Sequence, residues 1–185
     1  MQGLGLTTLL WLPQDELPLA ADDPRREWLL EPDSLTRKLQ DERAGEFRLD
    51  LITQVSEPLP ATAAALLDVR SGVPGHRREV WLYAGAIPCI FARSYWPEVT
   101  ERDQGWLDGL GERPLGEALF LHPEARRGPI EVACVAGGDH RLEPMLEGVA
   151  GPGEEVWARR SVFRIGEDDP LLVHEFFLPG LFGGS

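Results

Sequence analysis

Apolar and polar positions along the chain separate a few short helices from several longer strands. Trp28, Leu29 and Leu30 form an apolar face behind Asp22, Asp23 and Pro24, a capping residue followed by a favoured first helical residue. A second helix opens at Asp33, with Leu35 and Leu39 spaced i, i+4 and Gly45 as its stop. FRLDLITQV, from Phe47 to Val55, alternates as a strand does. A connection rich in Pro and Ala (EPLPATAAALL) leads into a hairpin. Its arms, RREVWLYA and IPCIFARSYWP, flank Ala84-Gly85-Ala86 and carry aromatic and β-branched residues. Glu98 to Leu110 reads as a helix weakened by Gly105 and Gly109. Pro114 opens a helical PLGEALFLH, and PIEVACVA reads as a strand. VWARRSVFRI and PLLVHEFFLP close the chain as a second hairpin around Gly166-Glu167-Asp168-Asp169.

The tally is about six strands joined mostly by hairpins, with helices before and between them. This order predicts an α+β fold, with one antiparallel sheet and the helices packed on one side. Residues 137–155 turn to Gly, Pro and acids and read as a surface excursion. No internal repeat occurs, and 185 residues suit a single domain over 1–185.

Composition narrows the partners. The formal net charge is −13, which argues against nucleic acid or an anionic membrane surface. An anionic small substrate would need local cations to hold it against that field. Lys38 is the only lysine, so those cations are arginines, whose planar fork binds carboxylates with two parallel bonds. No stretch approaches the length of a membrane span, and the opening apolar run lacks a basic flank and a cleavage site. Cys89 and Cys134 sit in apolar runs and read as small buried hydrophobes in a reducing compartment. Both features predict a cytoplasmic protein.

Common catalytic motifs are missing. The chain has no G-x-G-x-x-G after a strand, no phosphate-binding G-x-x-x-x-G-K-[ST], no G-x-S-x-G and no H-E-x-x-H or other metal spacing. What stands out is Glu175, alone in LLVHEFFLP. A carboxylate that loses water without a partner is costly, so Glu175 either lies on a solvated strand face or works in a pocket. His174, next to it, must face the other side of the strand and is expected to be satisfied or exposed. Arg78 and Arg93 lie on the two arms of the first hairpin, and Arg160 and Arg164 share a face of the next-to-last strand. Each arginine has a salt-bridged or solvated reading beside a binding one. The backbone N–H groups of Leu115 and Leu35, in the first turns of their helices, lack intrahelical acceptors.

Together, WLLEPDSLTRKL, REVWLYAGAIPCIFARSYWP, ERPLGEALF, VWARRSVFRI and PLLVHEFFLP resemble the chorismate pyruvate-lyases, in the family's order and over residues 28 to 179. The resemblance implies a six-stranded antiparallel sheet with a small enclosed site. It also implies a carbon–oxygen lyase that removes pyruvate from chorismate to leave 4-hydroxybenzoate for ubiquinone biosynthesis, with no metal or organic cofactor. Carried over position by position, Arg78 would grip the ring carboxylate, with the Leu115 N–H as second donor. Glu175 would face the ring hydroxyl, as would the backbone at Leu35, where the family often has Met. Arg93 would take the enolpyruvyl carboxylate. Arg78 and Glu175 are the expected catalytic pair, with Glu175 as acid or base in an apolar setting that raises its pKa. The expected partners are chorismate and 4-hydroxybenzoate alone, with the protein a monomer. The same architecture also resembles the effector-sensing domains of GntR-type regulators, so a non-catalytic module that senses small aromatic acids is the competing expectation.

Overall fold

In the computed structural model, residues 9–43, 46–137, 149–151 and 153–183 are described. The expected strands are present: β2 (Phe47–Pro58), β3 (Pro74–Ala84) and β7 (Glu155–Ile165) run longer than the pattern required, β4 (Ile87–Pro97) matches it, and β6 (Glu131–Ala136) and β8 (Asp169–Phe177) are shorter. Two two-residue strands, β1 (Leu12–Pro13) and β5 (Arg126–Arg127), raise the six expected strands to eight among the described residues. All pairs are antiparallel, in the order β1-β6-β7-β8-β4-β3-β2, with β5 also on β7. The β3–β4 and β7–β8 pairs are the two hairpins read from the sequence. Gly85 turns the first of them at φ +61°, a conformation that disfavours a side chain.

β5 and β6 are two pieces of one edge, interrupted at Gly128. There the chain presses so close to β7 that a Cβ would stand 2.9 Å from the Val162 carbonyl oxygen. The Gly128 N–H donates to that same oxygen at 2.8 Å. This contact ties down the segment that carries Arg127.

Among the described residues five α-helices accompany the sheet: α1 (Arg25–Leu29), α2 (Leu35–Glu42), α3 (Ala61–Leu66), α4 (Glu98–Gln104) and α5 (Leu115–Leu121). The Asp23 carboxylate accepts from the Arg25 N–H at 2.9 Å, as the cap ahead of α1 requires. Ser34, not Asp33, caps α2, accepting from the Arg37 N–H at 3.4 Å. The expected stop, Gly45, lies outside the described residues, as does most of the expected excursion at 137–155. α4 ends where Gly105 takes φ +59°, so the helix expected to reach Leu110 is cut to seven residues.

One helix was read as a connection. The Pro/Ala-rich stretch forms α3, whose Ala63 and Ala64 pack on Tyr95 and Leu172. Those side chains point away from Ala92, Ser94, Val173 and Glu175, by the alternation of strand residues. α3 therefore lies on the reverse face, while α1, α2 and α5 cover the other. Leu9, Trp11, Val149 and Ala150 also cover the reverse face, over Phe91 and Phe176. Both faces being covered, β8 is apolar on both sides of its pleat instead of alternating. That is why LLVHEFFLP reads as one unbroken run.

Candidate active site

A partly enclosed pocket opens on the face covered by α1, α2 and α5. Its floor is β3, β4, β7 and β8, and its rim is the starts of α2 and α5. Arg78, Leu35, Leu115 and Glu175 all line it, so four of the five expected site residues come together. Arg78 pairs with Ser94 and Ser94 with Val173, two residues from Glu175. At about 4.8 Å per strand and 3.3 Å per residue, the Cα atoms of Arg78 and Glu175 are roughly 12 Å apart on one face, with both side chains directed inward between them.

Arg78 is 2% exposed. One guanidinium nitrogen, Nη1, donates to Gln54 Oε1 at 2.9 Å and the other, Nη2, to the Arg113 carbonyl at 3.1 Å. Gln54 is held in turn by donating to the carbonyls of Leu107 and Asp108. Among the described residues no carboxylate comes within 4 Å of Arg78. Neutral partners thus fix its orientation and leave its charge uncompensated, and burial pushes its pKa down to about 10. An anion reaching it would find a buried, unpaired cation.

Beside Arg78, Pro114 stands at the N-cap of α5 and Leu115 is the first helical residue. The Leu115 N–H has no intrahelical acceptor. The two helix starts converge, because a Cβ on Gly116 would stand 3.6 Å from Ser34 Oγ. The backbones of Leu35 and Leu115 thereby share one rim.

Glu175 is not in an apolar setting, contrary to expectation. Its Oε2 accepts from Arg159 Nε at 2.6 Å and lies 3.7 Å from Arg127 Nη2. Arg159 is 1% exposed and its Nη1 donates to the Glu31 carbonyl at 2.7 Å, which ties β7 to the chain leaving α1. Arg127 donates through Nε to Ser161 Oγ at 2.9 Å and through Nη1 to the Glu31 carbonyl at 3.1 Å. Burial, followed by the neighbouring Arg159 charge, pushes the Arg127 pKa down to about 10. Neither Arg127 nor Arg159 was expected from the sequence. The signal that finds Arg159 is the pairing register, which sets it directly opposite Glu175.

Arg93 is the correction. It stands opposite His174 on the reverse face, where it is ion-paired with Glu79, and its neighbours Ala92 and Ser94 line the pocket in its stead. Its side chain points away from any ligand held between Arg78 and Glu175. Arg160 is also on the reverse face, bonded to Glu131 at 2.8 Å and stacked over the Trp11 ring at 4.4 Å. Arg164 lies near Asp168 at 3.7 Å. His174 faces away from Glu175 as expected, yet it is neither satisfied nor exposed. It is 3% exposed with Nδ1 unpartnered, against Trp11 and Tyr95. The two thiols are free; Cys89 is buried, but Cys134 is exposed rather than buried. Among the described residues, no three His, Cys, Asp or Glu side chains group so that they could hold a metal ion. No helix among them is long and apolar enough to cross a membrane.

Comparison with known proteins places this geometry. In fold, the chain is similar to the effector domain of PhnF from Mycobacterium smegmatis, with TM-score 0.57 and 12% identity over 79% of this chain and 88% of that one. It is also similar to the ligand-binding domain of a GntR-family transcriptional regulator from Bordetella bronchiseptica, with TM-score 0.55 and 19% identity over 72% and 86% of the two chains. In sequence, it is 39% identical to a protein of Azoarcus sp. (strain BH72) named "Probable chorismate pyruvate-lyase", over 94% of this chain and 92% of that one. A protein of Coxiella burnetii with the same name is 34% identical over 94% of each chain. The family profile described as chorismate lyase matches residues 6–184. The chain belongs to the chorismate lyase family.

Proposed function

We propose that this protein eliminates pyruvate from chorismate and releases 4-hydroxybenzoate, the ring precursor of ubiquinone, without a metal or organic cofactor. The observation that carries the reading is the pairing, in one pocket, of an uncompensated buried guanidinium with a carboxylate about two strand spacings away. The ring carboxylate sits on Arg78 and the Leu115 N–H, a charge-assisted clamp. The ring hydroxyl meets Glu175 and the backbone at Leu35. Holding both ends fixes the ring before any bond changes, which removes orientational entropy from the barrier.

The ether bond between ring and enolpyruvyl group breaks, and the ring carbon that bears the hydroxyl loses its hydrogen. The departing enolpyruvate takes up one proton at its methylene carbon to become pyruvate, so atoms balance and the ring becomes aromatic. Glu175, held through one oxygen by Arg159, keeps the other for the ligand. A carboxylate paired in this way accepts hydrogen bonds and suits the base role, receiving a proton as the ring aromatises. The free thiols fit a reducing compartment, in keeping with a cytoplasmic enzyme that acts as a monomer.

The fold likeness to effector domains supports a second reading, a module that binds the same acid and catalyses nothing. Mixing the purified protein with chorismate in the presence of a chelator separates the two. Growth of 4-hydroxybenzoate absorbance is the expected result, and binding with no product overturns the lyase reading in favour of the sensor.

A further inference from the structure

The pocket contains more positive charge than one benzoate needs. Its lining holds three guanidiniums, of Arg78, Arg127 and Arg159, and a single carboxylate, Glu175. Three positive charges less one negative charge leave two. The protein as a whole is at −13, so this local excess is a feature of the site. Two uncompensated cations suit a dianion, with one carboxylate for each.

Arg78 accounts for one of them. Of the other two arginines, Arg159 is 1% exposed, with Nε on Glu175 and Nη1 on the carbonyls of Trp28, Leu29 and Glu31, and is the less accessible of the two. Arg127 is 11% exposed. Its Nε and Nη1 are engaged by Ser161 and by the Glu31 and Pro32 carbonyls. Its Nη2 makes no hydrogen bond among the described residues and stands 3.7 Å from Glu175 Oε2. Anchored at two nitrogens and open at the third, Arg127 presents a held donor to the pocket.

We propose that Arg127 binds the second carboxylate of the substrate, that of the three-carbon group that leaves. The proposal rests on the lyase reading. In chorismate the ether oxygen is on the ring carbon next to the one that bears the hydroxyl. With that hydroxyl at Glu175, the departing group lies beside Glu175, and the open Nη2 of Arg127 is the donor there. This role was expected of Arg93, which the sheet turns to its other face. Arg127 contacts only the part of the substrate that the product lacks, so it separates substrate from product.

That separation is the test. Chorismate turnover and the calorimetric affinity for 4-hydroxybenzoate are measured for the parent, for Arg127→Met and for Arg127→Lys. For Arg127→Met, kcat/KM for chorismate falls about 10- to 100-fold, the range for loss of a charge-assisted bond, while 4-hydroxybenzoate affinity stays within about threefold. Arg127→Lys keeps the charge without the fork and recovers part of the loss. Where the Met variant does not fold, a several-fold loss in the Lys variant with unchanged product affinity carries the same conclusion. Equal losses for substrate and product, or no loss in either, overturn the role while leaving the lyase reading intact. A parent enzyme that forms no 4-hydroxybenzoate overturns both.

Discussion

The two faces of the sheet are built from the same ionic groups in different proportion. On the reverse face Arg77, Arg93 and Arg160 meet Glu57, Glu79 and Glu131, one carboxylate for each guanidinium. On the pocket face Arg78, Arg127 and Arg159 have only Glu175 among the lining residues. A buried arginine by itself therefore marks nothing. The balanced set is structural, because each charge taken from water finds its opposite. The unbalanced set is the one we propose as the ligand site, because its missing anions must come from outside.

The strongest break of this contrast is Glu175→Gln, which removes the one carboxylate among the residues that line the pocket. Turnover should fall by about 10² or more, as for loss of a general acid–base group, with 4-hydroxybenzoate affinity within about tenfold. Unchanged turnover would take Glu175 out of the chemistry. Next comes Arg78→Ala, which should weaken 4-hydroxybenzoate by about 1.5–3 kcal/mol in calorimetry. An affinity equal to the parent's would mean that the clamp is elsewhere.

On the balanced face the same kind of change should spare catalysis. Arg93→Met leaves Glu79 with Arg77 alone and should cost about 1–3 kcal/mol of stability. That corresponds to a drop in Tm of about 2–4 °C per kcal/mol for a chain of this size. Chorismate kcat/KM should stay within about threefold, and a tenfold rise in KM would return Arg93 to the site.

The smallest effect belongs to His174, also on the reverse face. Burial first, then Arg160 and Arg93, push its pKa down to about 3 from an ordinary 6.5. The unfolded chain takes up that proton near pH 6.5, while the folded chain resists it until about pH 3. The unfolded state thus binds more protons in this window, and stability falls as pH drops through it. His174→Leu should flatten the decline in Tm between pH 6.5 and 4 without changing turnover at pH 7.5. A slope equal to the parent's would place the acid sensitivity in the carboxylates.

Much of this molecule is legible from spacing and from the family resemblance together, and each exception has a physical origin. Both hairpins, the helix starts at Leu35 and Leu115, and the convergence of Arg78 with Glu175 follow from pattern and resemblance. Misreading began where both faces of the sheet are covered. In β4 and β8 the flanks of Arg93 and Glu175 are apolar on each side, so a period of two no longer tells which face a charge occupies. The partners of Glu175 were hidden by one residue of register. A four-residue turn at Gly166–Asp169 would set Arg160 opposite Glu175. Asp169 instead pairs with Ile165, the turn shortens to three residues, and Arg159 takes that place. Arg127 lies beyond any local pattern, because its strand has two residues and is positioned by the approach of Gly128 to Val162. α3 was missed because a short run of alanines after prolines has no polar face to give it a period.

A crystal structure with 4-hydroxybenzoate bound tests the central claim, that the unbalanced face is the ligand site, most directly. The account predicts the carboxylate on Arg78 and the Leu115 N–H, with the hydroxyl against Glu175 on the same face of the sheet. A ligand seated among Arg93, Arg160 and His174 on the balanced face, or one touching neither Arg78 nor Glu175, would contradict it.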